Sequence, residues 1–173
     1  PAGLIARFCR MALSEISGDY YKQLRGSQYA ARYSSKKRRM DMEIIEKAFT
    51  CDKDGFKIRG MQYLPSDFEQ NRKYPIVILS HGFLGNYTHM ADFGRDFASI
   101  GYVACSFSFC GSSLAGQSRQ TASDGKSTDM TITTQVQDLA AVKNFILQQP
   151  YADAERLVLL GVSQGGFVSG LAA

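Results

Sequence analysis

The sequence predicts an α/β fold, in which an antiparallel edge hairpin is followed by parallel strands joined by helices. Strand and helix patterns alternate from residue 74 to the end of the chain, which is typical of a parallel sheet with right-handed crossovers. The run at residues 74–80 is continuously apolar and largely β-branched, as in a strand buried on both faces. A Gly-x-Ser-x-Gly at residues 161–165 follows a second apolar run, which indicates a sharp strand-to-helix turn.

A hairpin is predicted within residues 42–68. The apolar run at 44–49 is followed by the turn signal Asp52-Lys-Asp-Gly55, and residues 56–63 then alternate imperfectly between core and surface types. Imperfect alternation is typical of an edge hairpin that is half open to solvent.

The later elements are predicted by periodicity and by the residues that end each one. Gly101 would close the first helix and Pro150 would stop the second. The predicted elements are a strand at 74–80, a helix at 90–100, a strand at 102–109, a Gly/Ser/Thr-rich loop at 110–129, a helix from about 131 to 149 and a strand at 156–160.

Two hypotheses compete for residues 1–41. In one, this leader is disordered or forms a short amphipathic helix, and the basic run at 36–39 touches nucleic acid or is simply solvated. In the other, residues 1–41 are not genuinely translated. The chain begins with Pro1, Arg38-Arg39 can be encoded by a ribosome-binding AGG-AGG, and Met42 would be the start.

The distribution of charged residues and cysteines limits the kinds of partner and cofactor that we expect. Residues 1–41 hold nine Lys/Arg and three Asp/Glu, whereas residues 42–173 hold eleven and thirteen. The second part, 42–173, is therefore a slightly acidic domain, and we expect no nucleic-acid or membrane partner for it. Four scattered cysteines, without metal-ligand spacing or a signal peptide, favour reduced thiols in the cytoplasm and no metal or cofactor.

The candidate site is centred on Ser163. A serine on this turn exposes its hydroxyl at the top of a sheet, and the close turn requires Gly161 and Gly165. The loop His81-Gly82-Phe83 follows the central strand, and in a parallel sheet it ends at the same edge. The backbone N–H groups of Phe83 and Gln164 are therefore the candidate oxyanion-hole donors, with His81 and Gly82 shaping the loop.

Residues 42–173 resemble the amino-terminal half of an α/β-hydrolase. The resemblance is carried by these motifs and by two further segments, Phe107-Ser-Phe-Cys-Gly111 and Ser123-Asp-Gly-Lys-Ser-Thr-Asp-Met-Thr131. The chain is most similar to bacterial feruloyl (cinnamoyl) esterases and related acyl esterases. The resemblance implies a fold truncated after the nucleophile elbow, which is the strand-to-helix turn at residues 161–165 that carries Ser163. It also implies hydrolysis of a small-molecule carboxylic ester, with Ser163 as nucleophile and no cofactor.

The resemblance is incomplete in two respects. Many relatives carry Asp where Ser108 stands and Gly where Ser112 stands, which leaves the order of that loop open. The triad acid and histidine follow the serine in this fold, yet none of the ten residues after Ser163 is Asp, Glu or His. We therefore expect this polypeptide alone to turn over little or no substrate.

Other reactive side chains are expected to be structural. We interpret His89 as a capping or surface residue and Asp138 as solvent-facing. Cys105 is interpreted as a small core residue and Cys110 as a loop residue.

Two other functions are open: a non-catalytic, truncated hydrolase-like module, and a peptidase or lipase of the same fold. The oligomeric state is also open. The strand before Ser163 should form an uncovered apolar edge, which predicts poor solubility for isolated residues 42–173.

Overall fold

The computed structural model describes residues 43–112 and 120–173, which belong to one compact unit, Met42–Ala173. The helix, basic run and alternative start considered for the leader lie outside the described residues. The described elements are β1 (Ile45–Lys53), β2 (Phe56–Leu64), β3 (Tyr74–Ser80), α1 (Ala91–Ser99), β4 (Val103–Phe107), α2 (Ile132–Leu147), β5 (Ala152–Gly161) and α3 (Gln164–Leu171).

The five strands form one mixed sheet in the order β1-β2-β4-β3-β5. Strands β1, β2 and β4 pair antiparallel, and β3 pairs parallel with both β4 and β5. The predicted α/β class is confirmed. Because β3 lies between two parallel neighbours, its carboxyl end meets the ends of both at one edge of the sheet.

The edge hairpin is present as predicted. Lys53 pairs with Phe56 across a two-residue loop, Asp54-Gly55, and both loop residues have positive φ angles of 53° and 84°. That geometry matches the twist of the flanking strands. Most of β1 is exposed, so the hairpin is half open to solvent.

Strand β5 is longer than predicted. It begins at Ala152 rather than near residue 156, and its register jumps from Asp153 opposite Pro75 to Leu157 opposite Ile76. Proline has no N–H to donate to a ladder, so the pairing is interrupted beside Pro75. The exposed residues 154–156 bulge out there, which is why local periodicity finds only the second part of the strand.

Strand β5 is also an outer strand of the described sheet. Its apolar residues 157–160 are only half-buried, in agreement with the expected open edge. The low solubility of isolated residues 42–173 stays a prediction, which size-exclusion chromatography of that segment would check. A soluble species that melts cooperatively would contradict it.

Helices cover both faces of the sheet. Helix α1 packs Phe97 and Ala98 on one face, against Val77, Leu79 and Ala104. Helices α2 and α3 contribute to the core on the other face, whose fully buried members are Ile58, Ile76, Ile78, Val103, Cys105, Phe107, Phe109, Leu139, Val142, Ile146 and Val168. No helix within residues 43–112 and 120–173 has the length and apolarity needed to cross a bilayer.

The boundaries of the helices follow their caps. Helix α2 begins after Thr131, whose hydroxyl accepts the Thr134 N–H at 3.1 Å while the Thr134 hydroxyl accepts the Thr131 N–H at 2.9 Å. This reciprocal pair satisfies two backbone donors at the helix start. Helix α1 is preceded by a single 3-10 turn, Tyr87–Met90, so it begins one residue later than predicted.

Candidate active site

Ser163 lies in the turn between β5 and α3. Its φ and ψ angles are 54° and −124°, a conformation that costs a non-glycine residue about 1–3 kcal/mol and persists only where the surroundings impose it. The Val162 N–H donates to the Ser80 carbonyl at 3.1 Å, which ties the turn to the end of β3. The Ser163 residue itself is exposed, so a substrate can reach it.

Two glycines allow this turn to close. A Cβ on Gly161 would collide with the backbone of Gly165, and a Cβ on Gly165 would collide with the carbonyl oxygens of Ser80 and His81. Both positions therefore lie in direct backbone-to-backbone contact, where no side chain fits.

The loop after β3 lies beside Ser163. A methyl group added to Gly82 would be 3.4 Å from the Ser163 Cβ and 3.9 Å from its Oγ. Within residues 43–112 and 120–173, neither the Phe83 nor the Gln164 N–H donates to a protein acceptor. Gln164 is the first residue of α3, so its N–H has no intrahelical partner. The loop and the turn thus lie together, with two available amides.

His81 is buried beneath this loop and holds it in place. Its Nε2 accepts the Phe109 N–H at 3.1 Å, so the ring proton is on Nδ1, which donates to the Gly82 carbonyl at 2.7 Å. Burial lowers the pKa of His81 to about 4. Because both ring nitrogens are engaged and the ring is neutral near pH 7, His81 is not placed to accept a proton from Ser163.

The depressed pKa of His81 predicts a loss of stability in mild acid. The folded-state pKa of about 4 lies below the unfolded value of about 6.5, so the unfolded chain binds more protons between these pH values. Stability is full above pH 6.5 and is lost as the pH falls to 4, by about 3 kcal/mol. Urea unfolding at pH 7 and 4.5 measures the change in the free energy of unfolding. The experiment uses the full-length protein, meaning the whole natural protein rather than the isolated residues 42–173. H81Q should flatten this dependence. H89Q, a change at an exposed residue, should leave most of it, because burial is the largest cause of the depressed pKa of His81 and the charge of His89 a smaller one. An equally steep dependence in H81Q would contradict the assignment.

Hydroxyl groups order the loop after β4. The buried Ser108 hydroxyl accepts the Tyr87 N–H at 3.0 Å and donates to the Thr121 carbonyl at 2.7 Å. The Ser123 hydroxyl donates to the Ser108 carbonyl at 2.6 Å. Ser108 therefore braces the loop at the position where many relatives of the resembled group carry Asp.

The expectation that Asp138 faces solvent is wrong. Its side chain is fully buried and pairs with Lys53 Nζ at 2.7 Å, and its second oxygen accepts the Cys110 N–H at 2.8 Å. The partners come from β1 and from the loop after β4, far from Asp138 in sequence. Asp138 thus joins α2 to the hairpin and to the loop that His81 also holds.

Removing the Asp138 carboxylate should be strongly destabilising. The change D138A leaves the largely buried Lys53 ammonium without its counter-charge, with only the Thr134 carbonyl at 3.4 Å as acceptor, and it leaves the Cys110 N–H without the carboxylate that accepts it. We therefore expect a loss of about 3 kcal/mol. Urea unfolding of the full-length protein would measure it. D92A removes a carboxylate that is 99% exposed and should change stability by less than about 0.5 kcal/mol. Equal effects of the two changes would contradict the structural role.

The described cysteines are not placed as nucleophiles. Cys105 is fully buried, and burial raises the pKa of its thiol above the usual range. Burial, and secondarily the nearby Asp138 carboxylate, raises the pKa of Cys110 to about 12 and that of Cys51 to about 11. The thiolate is the reactive form, so all three thiols are poor nucleophiles near neutral pH.

His89 is exposed on the 3-10 turn that precedes α1.

Sequence reasoning missed Gln135. This residue is 1% exposed on α2, and its Oε1 accepts the Gln164 Nε2–H at 2.8 Å. It lies three residues after Ile132 and four before Leu139, on the apolar face of the helix. A polar residue inside an apolar stripe is the signal that could have identified it.

The site combines an exposed serine hydroxyl with two available amides beside it. This arrangement can attack a carbonyl carbon and stabilise the resulting oxyanion. Within the described part of the chain, both ring nitrogens of His81 are engaged, so His81 is not placed to deprotonate Ser163. No group of three or more His, Cys, Asp or Glu side chains there could hold a metal ion.

Known proteins are similar to this chain in sequence and in fold. A profile of the prolyl oligopeptidase family matches residues 93–173. The probable dipeptidyl-aminopeptidase B of Emericella nidulans is 30% identical over 121 residues, which is 67% of this chain and 13% of that protein. The chain thus spans only a small part of this relative.

Two solved structures are similar in fold. Est1E of Butyrivibrio proteoclasticus, with ferulic acid bound, has a TM-score of 0.61 and 25% identity, and the match covers 72% of this chain and 46% of that one. The acylaminoacyl peptidase of Pyrococcus horikoshii has a TM-score of 0.58 and 19% identity, and the match covers 81% and 22%. The second similarity shows the fold alone.

Proposed function

Because this chain belongs to the α/β-hydrolase superfamily, we propose that it carries the nucleophile and oxyanion hole of a serine hydrolase acting on carboxylic esters. The observation that carries the proposal is the proximity of the Gly82 loop to Ser163 in its strained turn. Ser163 would be the nucleophile, and the Phe83 and Gln164 N–H groups would bind the oxyanion.

The proposed reaction has two steps. Ser163 Oγ attacks the ester carbonyl and gives its proton to a base, the carbonyl oxygen becomes an oxyanion, and the alcohol leaves with a proton. Water then hydrolyses the acyl-enzyme and releases the carboxylic acid. His81 is not placed to be the base, because both of its ring nitrogens are engaged, and we propose that the base comes from outside the described residues.

An aromatic acyl group is the proposed substrate feature. The similarity to Est1E with bound ferulic acid supports it. The Phe83 side chain, 65% exposed next to Gly82, also supports it, since aromatic rings stack favourably on one another.

A peptidase is the second candidate. It is supported by the prolyl oligopeptidase match over residues 93–173 and by the dipeptidyl-aminopeptidase B relative. The same nucleophile and oxyanion donors would cleave an amide in place of an ester, so the local geometry of Ser163 is compatible with both substrates.

Substrate panels on the full-length protein test the proposal. The substrates are feruloyl, acetyl and p-nitrophenyl esters, and dipeptidyl p-nitroanilides. The proposal expects ester turnover, with a fluorophosphonate probe attached to Ser163 in the peptide mass spectrum. Turnover of only the anilides would favour the peptidase. Absence of both turnover and labelling would support the non-catalytic alternative.

A further inference from the structure

We propose that Gln135 is a positioning residue for the oxyanion hole, acting through the side chain of Gln164. The inference rests on the proposed function, because it concerns the N–H that Gln164 would present to the substrate oxygen. Gln164 Nε2 donates to Gln135 Oε1 at 2.8 Å, so the residue that provides one donor is held by a second element, α2.

The direction of the Gln164 N–H depends on the strained turn. Rotation about ψ of Ser163, which is −124°, sets the plane of the peptide that carries this N–H. A strained conformation relaxes unless its surroundings fix it on both sides. On the β5 side, the Val162 N–H is fixed by the Ser80 carbonyl. On the α3 side, the Ser163 carbonyl accepts the N–H groups of Gly166 at 3.0 Å and Phe167 at 3.2 Å, and Gln135 adds a restraint by holding the Gln164 side chain.

Gln135 is suited to this role because its side chain is buried and its backbone is anchored. It is 1% exposed, and its N–H donates to the Thr131 carbonyl at 3.0 Å within the capped first turn of α2. Three residues later, Asp138 joins the same helix to Lys53 and to the Cys110 N–H. The amide oxygen of Gln135 is therefore a fixed acceptor, whereas the half-buried Gln164 side chain could otherwise turn to solvent.

Steady-state kinetics of the full-length protein test the inference, with p-nitrophenyl acetate and a feruloyl ester as substrates. Q135M and Q164M each break the hydrogen bond while keeping the length of the side chain. Each should lower kcat about 10-fold, with KM within about twofold, because oxyanion stabilisation is realised in the transition state. If one hydrogen bond accounts for both losses, the double variant should also lose about 10-fold rather than about 100-fold.

Q137M is the matched control, since Gln137 is exposed on the same helix and should leave kcat unchanged. Because Gln164 is only half-buried, we expect Q164M to fold, which keeps the test valid if Q135M does not. Unchanged kcat in Q164M, or multiplicative losses in the double variant, would overturn the inference. A lowered melting temperature with unchanged kcat would show that the hydrogen bond between Gln135 and Gln164 has only a structural role, and this result would also overturn the inference. If S163A keeps parental activity, the proposed function itself fails, which is a distinguishable result.

Discussion

Replacing Ser163 with Ala in the full-length protein is expected to lower kcat by about 10⁴-fold or more, with little change in KM. The change removes the only atom proposed to bond to the substrate carbon, and it leaves the Phe83 and Gln164 N–H groups in place. Alanine meets the same backbone constraint at φ 54°, so the turn and the stability of the protein should be preserved. Ester hydrolysis and thermal melting of the variant would be measured together.

Ser169 provides the control for this experiment. It lies on α3, six residues after Ser163, and its buried hydroxyl has no hydrogen-bond partner within the described structure. S169A should keep full activity, because removing an unpaired hydroxyl removes no interaction. Residual S163A activity close to the parental value, with an intact melting curve, would exclude Ser163 as the nucleophile.

Strand positions and the elbow could be predicted because their signals are local. The β-branched run of β3 and the glycines around Ser163 each carry a physical requirement that a few neighbouring residues reveal. The predicted proximity of the Gly82 loop to Ser163 needed one further rule, that parallel strands end at one edge of the sheet. The structure places these two segments together, since a methyl group added to Gly82 would lie 3.9 Å from the Ser163 Oγ.

Pairs between distant residues could not be predicted in the same way. Asp138 is buried because Lys53, 85 residues earlier, reaches it, and no periodicity of α2 reports that partner. Gln135 and Gln164 are 29 residues apart and lie on different helices. The bulge in β5 depends on Pro75 in another strand. In each case, the decisive contact is set by the tertiary fold rather than by the local pattern.

These long-range contacts converge on the site. His81 holds the Phe109 N–H, Asp138 holds the adjacent Cys110 N–H, and Gln135 holds the residue after Ser163. The proposed Gln164 donor is a backbone group, whose direction no side-chain rotamer can correct. Of these three side chains, Gln135 contacts that donor residue, and the proposed positioning role would account for a buried polar residue at this point of the apolar face of α2.

Placing a methyl group at Gly165 tests how tightly the elbow is packed. The added Cβ would meet the carbonyl oxygens of Ser80 and His81, which are backbone atoms at the end of the central strand. Since no flexible side-chain end can move aside, α3 must shift away from β3. We expect G165A to cost about 4 kcal/mol, at the upper end of overpacking effects. Activity should also be lost, because the shift carries Ser163 and the Gln164 N–H away from the Gly82 loop.

Gly170 is the matched position on the same helix. A Cβ there would meet nothing within 4 Å, so G170A should stabilise the helix by up to about 1 kcal/mol through its higher helix propensity. Urea unfolding and ester hydrolysis of both variants in the full-length protein separate the close approach at Gly165 from a general intolerance of α3 to alanine. An active G165A variant with parental stability would mean that α3 can move without disturbing the nucleophile, and the geometric basis of the proposed oxyanion hole would then be wrong.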